Sequence, residues 1–187
     1  AYSVPTMLRD NIPEIETITR VITEDGSKVK WIYKDTQGNE QEKKVEISNT
    51  ASITTNYFEL FQVEWLHGDS ETSLTTPNSI VLSENLAKQI FGEVPPIGQT
   101  LQWNEKYEVQ VTGIVANPKL NSNLRFNAYI PFDLIDNKPK EKVYSNVNGD
   151  DQCFLILNTQ DTKAVEDKIN ELYLEKIKDD PYVDKWL

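Results

Sequence analysis

Pro77-Asn78-Ser79-Ile80-Val81-Leu82-Ser83-Glu84-Asn85-Leu86-Ala87-Lys88-Gln89-Ile90-Phe91-Gly92 is the stretch whose reading decides the fold. Ser79–Leu82 is a short apolar run and predicts a buried strand. Ser83 then stands where a helix cap belongs, and Glu84 puts a negative charge at the positive end of the helix dipole. Leu86, Ala87, Ile90 and Phe91 fall on one stripe at helical spacing, which reads as core packing before it reads as a partner surface. Gly92 is placed to end the helix in the left-handed conformation, and Pro95-Pro96 forbid its continuation. A buried strand running directly into an amphipathic helix calls for a mixed α and β fold.

Downstream, Leu101 and Trp103 alternate with polar residues, as do Tyr107, Val109 and Val111. This predicts two strands joined through Asn104-Glu105-Lys106 and continued by Gly113-Ile114-Val115. Asn117-Pro118 and Asn121-Ser122-Asn123 mark a loop. Phe126 to Phe132 reads as a strand and Asp136 to Asp151 as a polar connection. The continuous run Phe154-Leu155-Ile156-Leu157 predicts a central strand buried on both faces. Asp161 or Thr162 caps a last helix with Val165, Ile169, Leu172, Tyr173 and Ile177 on one side, and Pro181 lies beyond its end.

Upstream, Ser3 caps a short helix that stops before Pro13, and Ile15 to Val21 is a strand. Val29–Lys34 and Lys44–Ile47 form a hairpin about Gln37-Gly38-Asn39, charged on one face and expected to be a solvated ribbon. Asn56–Phe61 is an aromatic segment of one or two helical turns, and Trp65–Asp69 leads into a turn.

The chain has 187 residues and a net charge of −11. Eighteen aromatic side chains, as four Trp, eight Tyr and six Phe, supply enough surface to bury a core and argue against disorder. The acidic balance excludes nucleic acid as a partner, since the densest basic stretches, Lys28–Lys34 and Lys138–Lys142, are interrupted by apolar or acidic residues. No apolar run reaches the ~20 residues that span a bilayer. The chain opens Ala1-Tyr2-Ser3-Val4-Pro5 without Met or a signal peptide, as expected of a segment of a longer protein.

No residue is assigned a catalytic, cofactor-binding or metal role. Cys153, the sole cysteine, precedes an apolar strand where a buried thiol is ordinary, and nothing local supplies the base a thiolate nucleophile needs. His67 is the sole histidine, so a zinc site lacks ligands. Asp150 and Asp151 are adjacent, so on an extended chain their carboxylates point apart. They also lack the spacing of a calcium loop. Gly92, Gly98 and Gly113 do not make a phosphate loop. A hydrolase using paired carboxylates would require these groups to converge in a cleft.

The stretch from Pro77 to Gly92 resembles the signature of MacB-like periplasmic core domains of FtsX/MacB-type ABC transporter permeases. Pro96–Leu101, Tyr107–Val115, Asn117-Pro118 and Asn121–Phe126 follow the same pattern in order. Asn56–Phe61, Gly68-Asp69 and Ile12–Ile15 match upstream. Asn123 stands where the family usually has histidine, Asn117 replaces a frequent aspartate, and Lys119 a common proline. The resemblance implies an α+β, two-lobed domain: a βαβ porter-like lobe of 1–62 with 152–187, and a mostly β inserted lobe of 63–151. It further implies a place on the periplasmic side of the bacterial inner membrane, between the first and second helices of a four-helix permease. The implied partners are a second permease subunit, a cytoplasmic ATPase, and a periplasmic adaptor, peptide or lipoprotein substrate. A stand-alone secreted or periplasmic binding module is the alternative.

Overall fold

The computed structural model describes residues 3–119, 121–135 and 151–178. In chain order these form α1 (Ser3–Asn11), β1 (Ile15–Glu24), β2 (Ser27–Lys34), β3 (Glu40–Ile47), β4 (Thr50–Ile53) and α2 (Tyr57–Leu60). They continue through β5 (Trp65–His67), β6 (Ser79–Ser83), α3 (Glu84–Phe91), β7 (Thr100–Trp103) and β8 (Tyr107–Val115). The last elements are β9 (Ala128–Pro131), α4 (Phe132–Ile135), β10 (Asp151–Leu157) and α5 (Thr162–Ile177). The fold is α+β, as the sequence predicts. Contacts divide the chain into two compact units, Val21–Asn137 and the pair of segments Ala1–Arg20 and Lys138–Leu187.

In Val21–Asn137 the strand order runs from the end of β1 through β4, β9, β6, β8, β7 and β2 to β3, and β5 pairs with β8. β6 is buried at every residue because both edges are taken, by β8 in parallel and β9 antiparallel. β8 is long enough for β7 to pair with its first half and β5 with its end. Strand alternation splits the residues of β6 between two faces. Ile80 and Leu82 join the core formed with Leu86, Ile90 and Phe91 of α3 and with Val29, Trp31, Leu101 and Trp103. Val81 pairs with Tyr129 on the opposite face, where rings stack in edge and tilted contacts from Tyr57 and Phe58 to Trp65 and Tyr129.

Several expectations are corrected here. The β2–β3 hairpin is not a free ribbon: β2 also pairs with β7, and Val29, Trp31, Val45 and Ile47 are core residues. Its alternation carries apolar residues on one face and charges on the other, and the sheet buries the apolar face. Within Val21–Asn137, β2 thus joins β7 and β4 joins β9 in one run of strands. The strand drawn from Phe126 is shorter, and the chain turns into α4 at Phe132.

In the other unit, Met7 and Leu8 of α1 and Ile12 just after it pack with Ile15 of β1 and Val165 of α5, flanked by Leu155, Leu157, Ile169 and Leu172. Asp161 caps α5, accepting from the Ala164 amide at 3.0 Å. β10 is not a central strand: among the described residues it pairs with β1 alone, Cys153 is exposed and Ile156 is 40% exposed. A continuous apolar run signals burial on both faces only when strands flank it on both edges. The polar connection 136–150, with Asp150, lies outside the described residues, as do Pro181 and the side chain of Ile177.

Gly113 is a tight point of the Val21–Asn137 sheet. A bulge in the β6–β8 pairing leaves Thr112 as an extra residue, and a Cβ on Gly113 would lie 2.7 Å from the Trp65 ring and 3.1 Å from Val81. Gly113→Ala should therefore push Trp65 off the sheet and destabilise the fold by about 1–3 kcal/mol. Urea unfolding followed by tryptophan fluorescence checks this, with an unchanged midpoint counting against it.

Candidate functional site

The stretch Pro77–Gly98 is built from ties between neighbouring elements. The Ser83 amide donates to the Asn127 carbonyl at 2.8 Å, and the Asn127 amide donates to the Asn49 carbonyl at 2.9 Å. The start of α3 is thus roped to the end of the β2–β3 hairpin. Ser83 occupies the N-cap position with an extended backbone, but its side chain makes no capping bond. Asn117 supplies one instead: its Oδ1 accepts from the Asn85 amide at 2.9 Å, and its Nδ2 lies 3.4 Å from Glu84 Oε2. Glu84 in turn holds Lys88 at 2.7 Å, one turn along. Sequence reading places Asn117 in a loop and misses its role, because its partner is 32 positions away. The only local signal is an asparagine beside a proline.

The helix ends as the sequence predicts in one respect and differs in another. Gly92 has φ +61° and its amide donates to the Lys88 carbonyl, but ψ −120° takes it out of the left-handed helical basin. Gly98, at φ +82°, then sends its amide to the Val111 carbonyl at 2.8 Å, which starts β7 beside β8. Asn104 and Glu105 both have positive φ, so the β7–β8 connection is a tight hairpin turn of the primed kind. Asn104 also exchanges hydrogen bonds with the backbone of Lys28, extending the β2–β7 pairing.

The described residues considered for chemistry are divided between the two units. His67 lies exposed on β5 within Val21–Asn137, while Cys153 lies exposed on β10 of the other unit. Asp151 begins β10. Among the described residues no group of three or more His, Cys, Asp or Glu could hold a metal ion. The strongly perturbed groups are structural. Burial pushes the Tyr129 phenol up to about 12 and raises that of Tyr57 further, so both remain neutral in the aromatic layer. Asp69 is held below the usual carboxylate range by the hydroxyl and amide of Thr72, which close its turn. Beside it, Gly68 at φ +77° leaves no room for a Cβ against the Thr112 carbonyl.

The sequence profile of the MacB-like periplasmic core domain matches residues 2–172. Three solved structures share the fold. A domain assigned to a permease protein of Porphyromonas gingivalis superposes with a TM-score of 0.69 at 18% identity, covering 91% of this chain and 68% of that one. The periplasmic region of MacB from Actinobacillus actinomycetemcomitans gives 0.62 at 20% identity, over 94% and 72%. The extracellular domain of the noncanonic ABC-type transporter YknZ from Gram-positive bacteria gives 0.60 at 13% identity, over 93% and 81%. Among proteins with curated descriptions none matches this sequence. No helix of the described residues is long and apolar enough to cross a membrane.

Two measurements test the ties described above. Asn117→Ala should cost about 1 kcal/mol by uncapping α3, and Ser83→Ala clearly less, since Ser83 makes no cap bond; equal losses in thermal unfolding would refute the assignment. Glu24, at the end of β1, has its pKa raised by burial, against a hydrogen bond from Ser27 that lowers it. Its proton is held more tightly folded than unfolded, so stability falls as pH rises from the ordinary glutamate value through the raised one. Glu24→Gln should flatten this decline and leave the protein at least as stable above it, read as melting temperature against pH.

With residues 2–172 matched, and the strand–helix signature folded as caps, turns and core, the chain belongs to the MacB-like periplasmic core domain family, the periplasmic domains of ABC-type permeases.

Proposed function

We propose that this chain is the extracytoplasmic domain of an ABC transporter permease, standing on the periplasmic side of the bacterial inner membrane, and that it works without catalysis, metal or cofactor. Its task is to carry the ATP-driven motion of membrane helices to a substrate or partner outside the membrane. The observation that carries this reading is the family match over residues 2–172.

The unit that holds both ends of the chain supports the mechanical part. α1 and α5, the first and last helices, share one apolar core through Met7, Leu8, Ile12 and Val165, and Lys168 of α5 pairs with Glu14 ahead of β1. In the family's layout a membrane helix adjoins each end of the domain. A displacement entering at either end then moves a single packed body, because tightly packed cores transmit strain. The partners on this reading are a second permease subunit and a cytoplasmic ATPase, with a periplasmic adaptor, peptide or lipoprotein on the outer side. The output is export, lipoprotein release or signalling to a cell-wall enzyme.

The parent gene provides the first test. It should encode one apolar helix ahead of residue 1 and three beyond residue 187, and its product should co-purify with an ATPase subunit. A product without membrane spans would sink the reading and leave a stand-alone binding module, recognised by a ligand that raises its melting temperature. Within the full-length permease, Val165→Ala should lower transport while ATP hydrolysis persists; transport at the unaltered rate would remove the mechanical role of the α1–α5 core.

A further inference from the structure

The outer face of the sheet, opposite the α3 core, carries a groove of about 330 Å³. Lys28, Lys30, Lys44, Glu46, Gln102 and Glu105 line it. Val29 and Val45 also border it; they and Trp31 are buried and alternate with the lysines, which the strand period aims to the opposite face. Register arranges the groove in rows. In one row Lys30 stands directly opposite Lys44 on β3 and Gln102 on β7. In the next, Lys28 stands opposite Glu46, with the Asn104 turn bonded to its backbone.

The two rows differ in charge balance. The Lys28 row carries its own carboxylate. The Lys30 row sets two ammonium groups opposite each other beside a neutral amide, an arrangement that is destabilising when empty. Among the described residues neither Lys28 nor Lys30 forms an ion pair, and Lys44 meets only the exposed Glu42, at 3.1 Å. This unbalanced row sits in a chain of net charge −11.

We infer that the Lys30–Lys44 row binds the phosphoryl group of a small soluble solute. Two ammonium groups supply charge and N–H donors for a dianion, which a single carboxylate would only half neutralise. Glu46 and Glu105 at the other end repel a second anionic group, so the ligand carries its charge at one end. The source is soluble and not a lipid headgroup, because a chain this acidic is repelled by an anionic membrane surface. The inference is independent of the permease reading and stands or falls on its own measurement.

The experiment is a titration of the chain with inorganic phosphate, followed by nuclear magnetic resonance, against sodium chloride at equal ionic strength. Saturable shifts at Lys30, Lys44 and Gln102 are expected with phosphate alone. Lys30→Glu turns the opposed like charges into an attractive pair with Lys44, so its melting temperature should hold or rise while phosphate affinity falls about tenfold or more. A folded Lys30→Glu variant that still binds phosphate overturns the inference, as does an equal response to sodium chloride. Vesicles of phosphatidylglycerol and of phosphatidylcholine should both leave the spectrum unchanged; a response to phosphatidylglycerol without one to phosphate overturns the soluble source.

Discussion

A strand with no open face or edge is the constraint on which the rest of Val21–Asn137 depends. β6 has β8 on one side, β9 on the other, α3 over one face and an aromatic layer over the other. Such a strand can be neither shifted nor rotated without exposing apolar residues, since a one-residue slip sends every side chain to the opposite face. Its neighbours inherit its position. α3 must begin at once after Ser83, β8 must carry a glycine where Trp65 crosses, and the loop at Asn117 must reach back to satisfy the helix amides. The signature stretch is therefore recognisable because its residues are geometrically obligatory. Recognition of the family and silence about chemistry have the same cause.

This also explains what could be read from the sequence. The β6–α3 unit, the end of α3 at Gly92, the turn at Asn104–Lys106 and the cap at Asp161 were all legible, because each is decided by residues within a few positions of each other. Non-local matters were not. The run Phe154–Leu157 announces apolar residues, but nothing in it says how many strands will flank β10. Cys153 accordingly lies exposed where burial was expected. The β2–β3 hairpin displays its alternation plainly, yet only the register with β7 reveals that its apolar side is roofed by α3. The cap on α3 was assigned to the adjacent Ser83, and went to Asn117, because tertiary contact brought in a better-placed amide.

The candidate site was legible in a narrower sense. One histidine and one cysteine are too few for the usual zinc ligand set, and that much is read directly from the chain. The lysine row could not be seen, because Lys30 and Lys44 become neighbours only when the register of β2 against β3 is known. In the sequence they sit in stretches broken by Trp31, Ile32 and Glu42, which read as ordinary solvated strand.

The same outer strands meet a second requirement. β3 ends the strand order, and a terminal strand with unpaired backbone groups invites pairing with other chains. Glu40, Gln41, Glu42, Lys43 and Lys44 are all exposed along it, and charged side chains on an edge oppose such pairing because each approaching strand would have to desolvate them. The residues facing the core, Val45 and Ile47, are confined to the half of β3 nearest β4, so the protected half can be polar on both faces. Charge on this hairpin is thus placed by two separate demands. Charge along β3 guards the edge, but that demand is satisfied as well by a glutamate as by a lysine at position 44. Edge protection alone does not account for two ammonium groups set face to face, which is why the Lys30–Lys44 row, and not the charged strand as a whole, carries the case for a ligand.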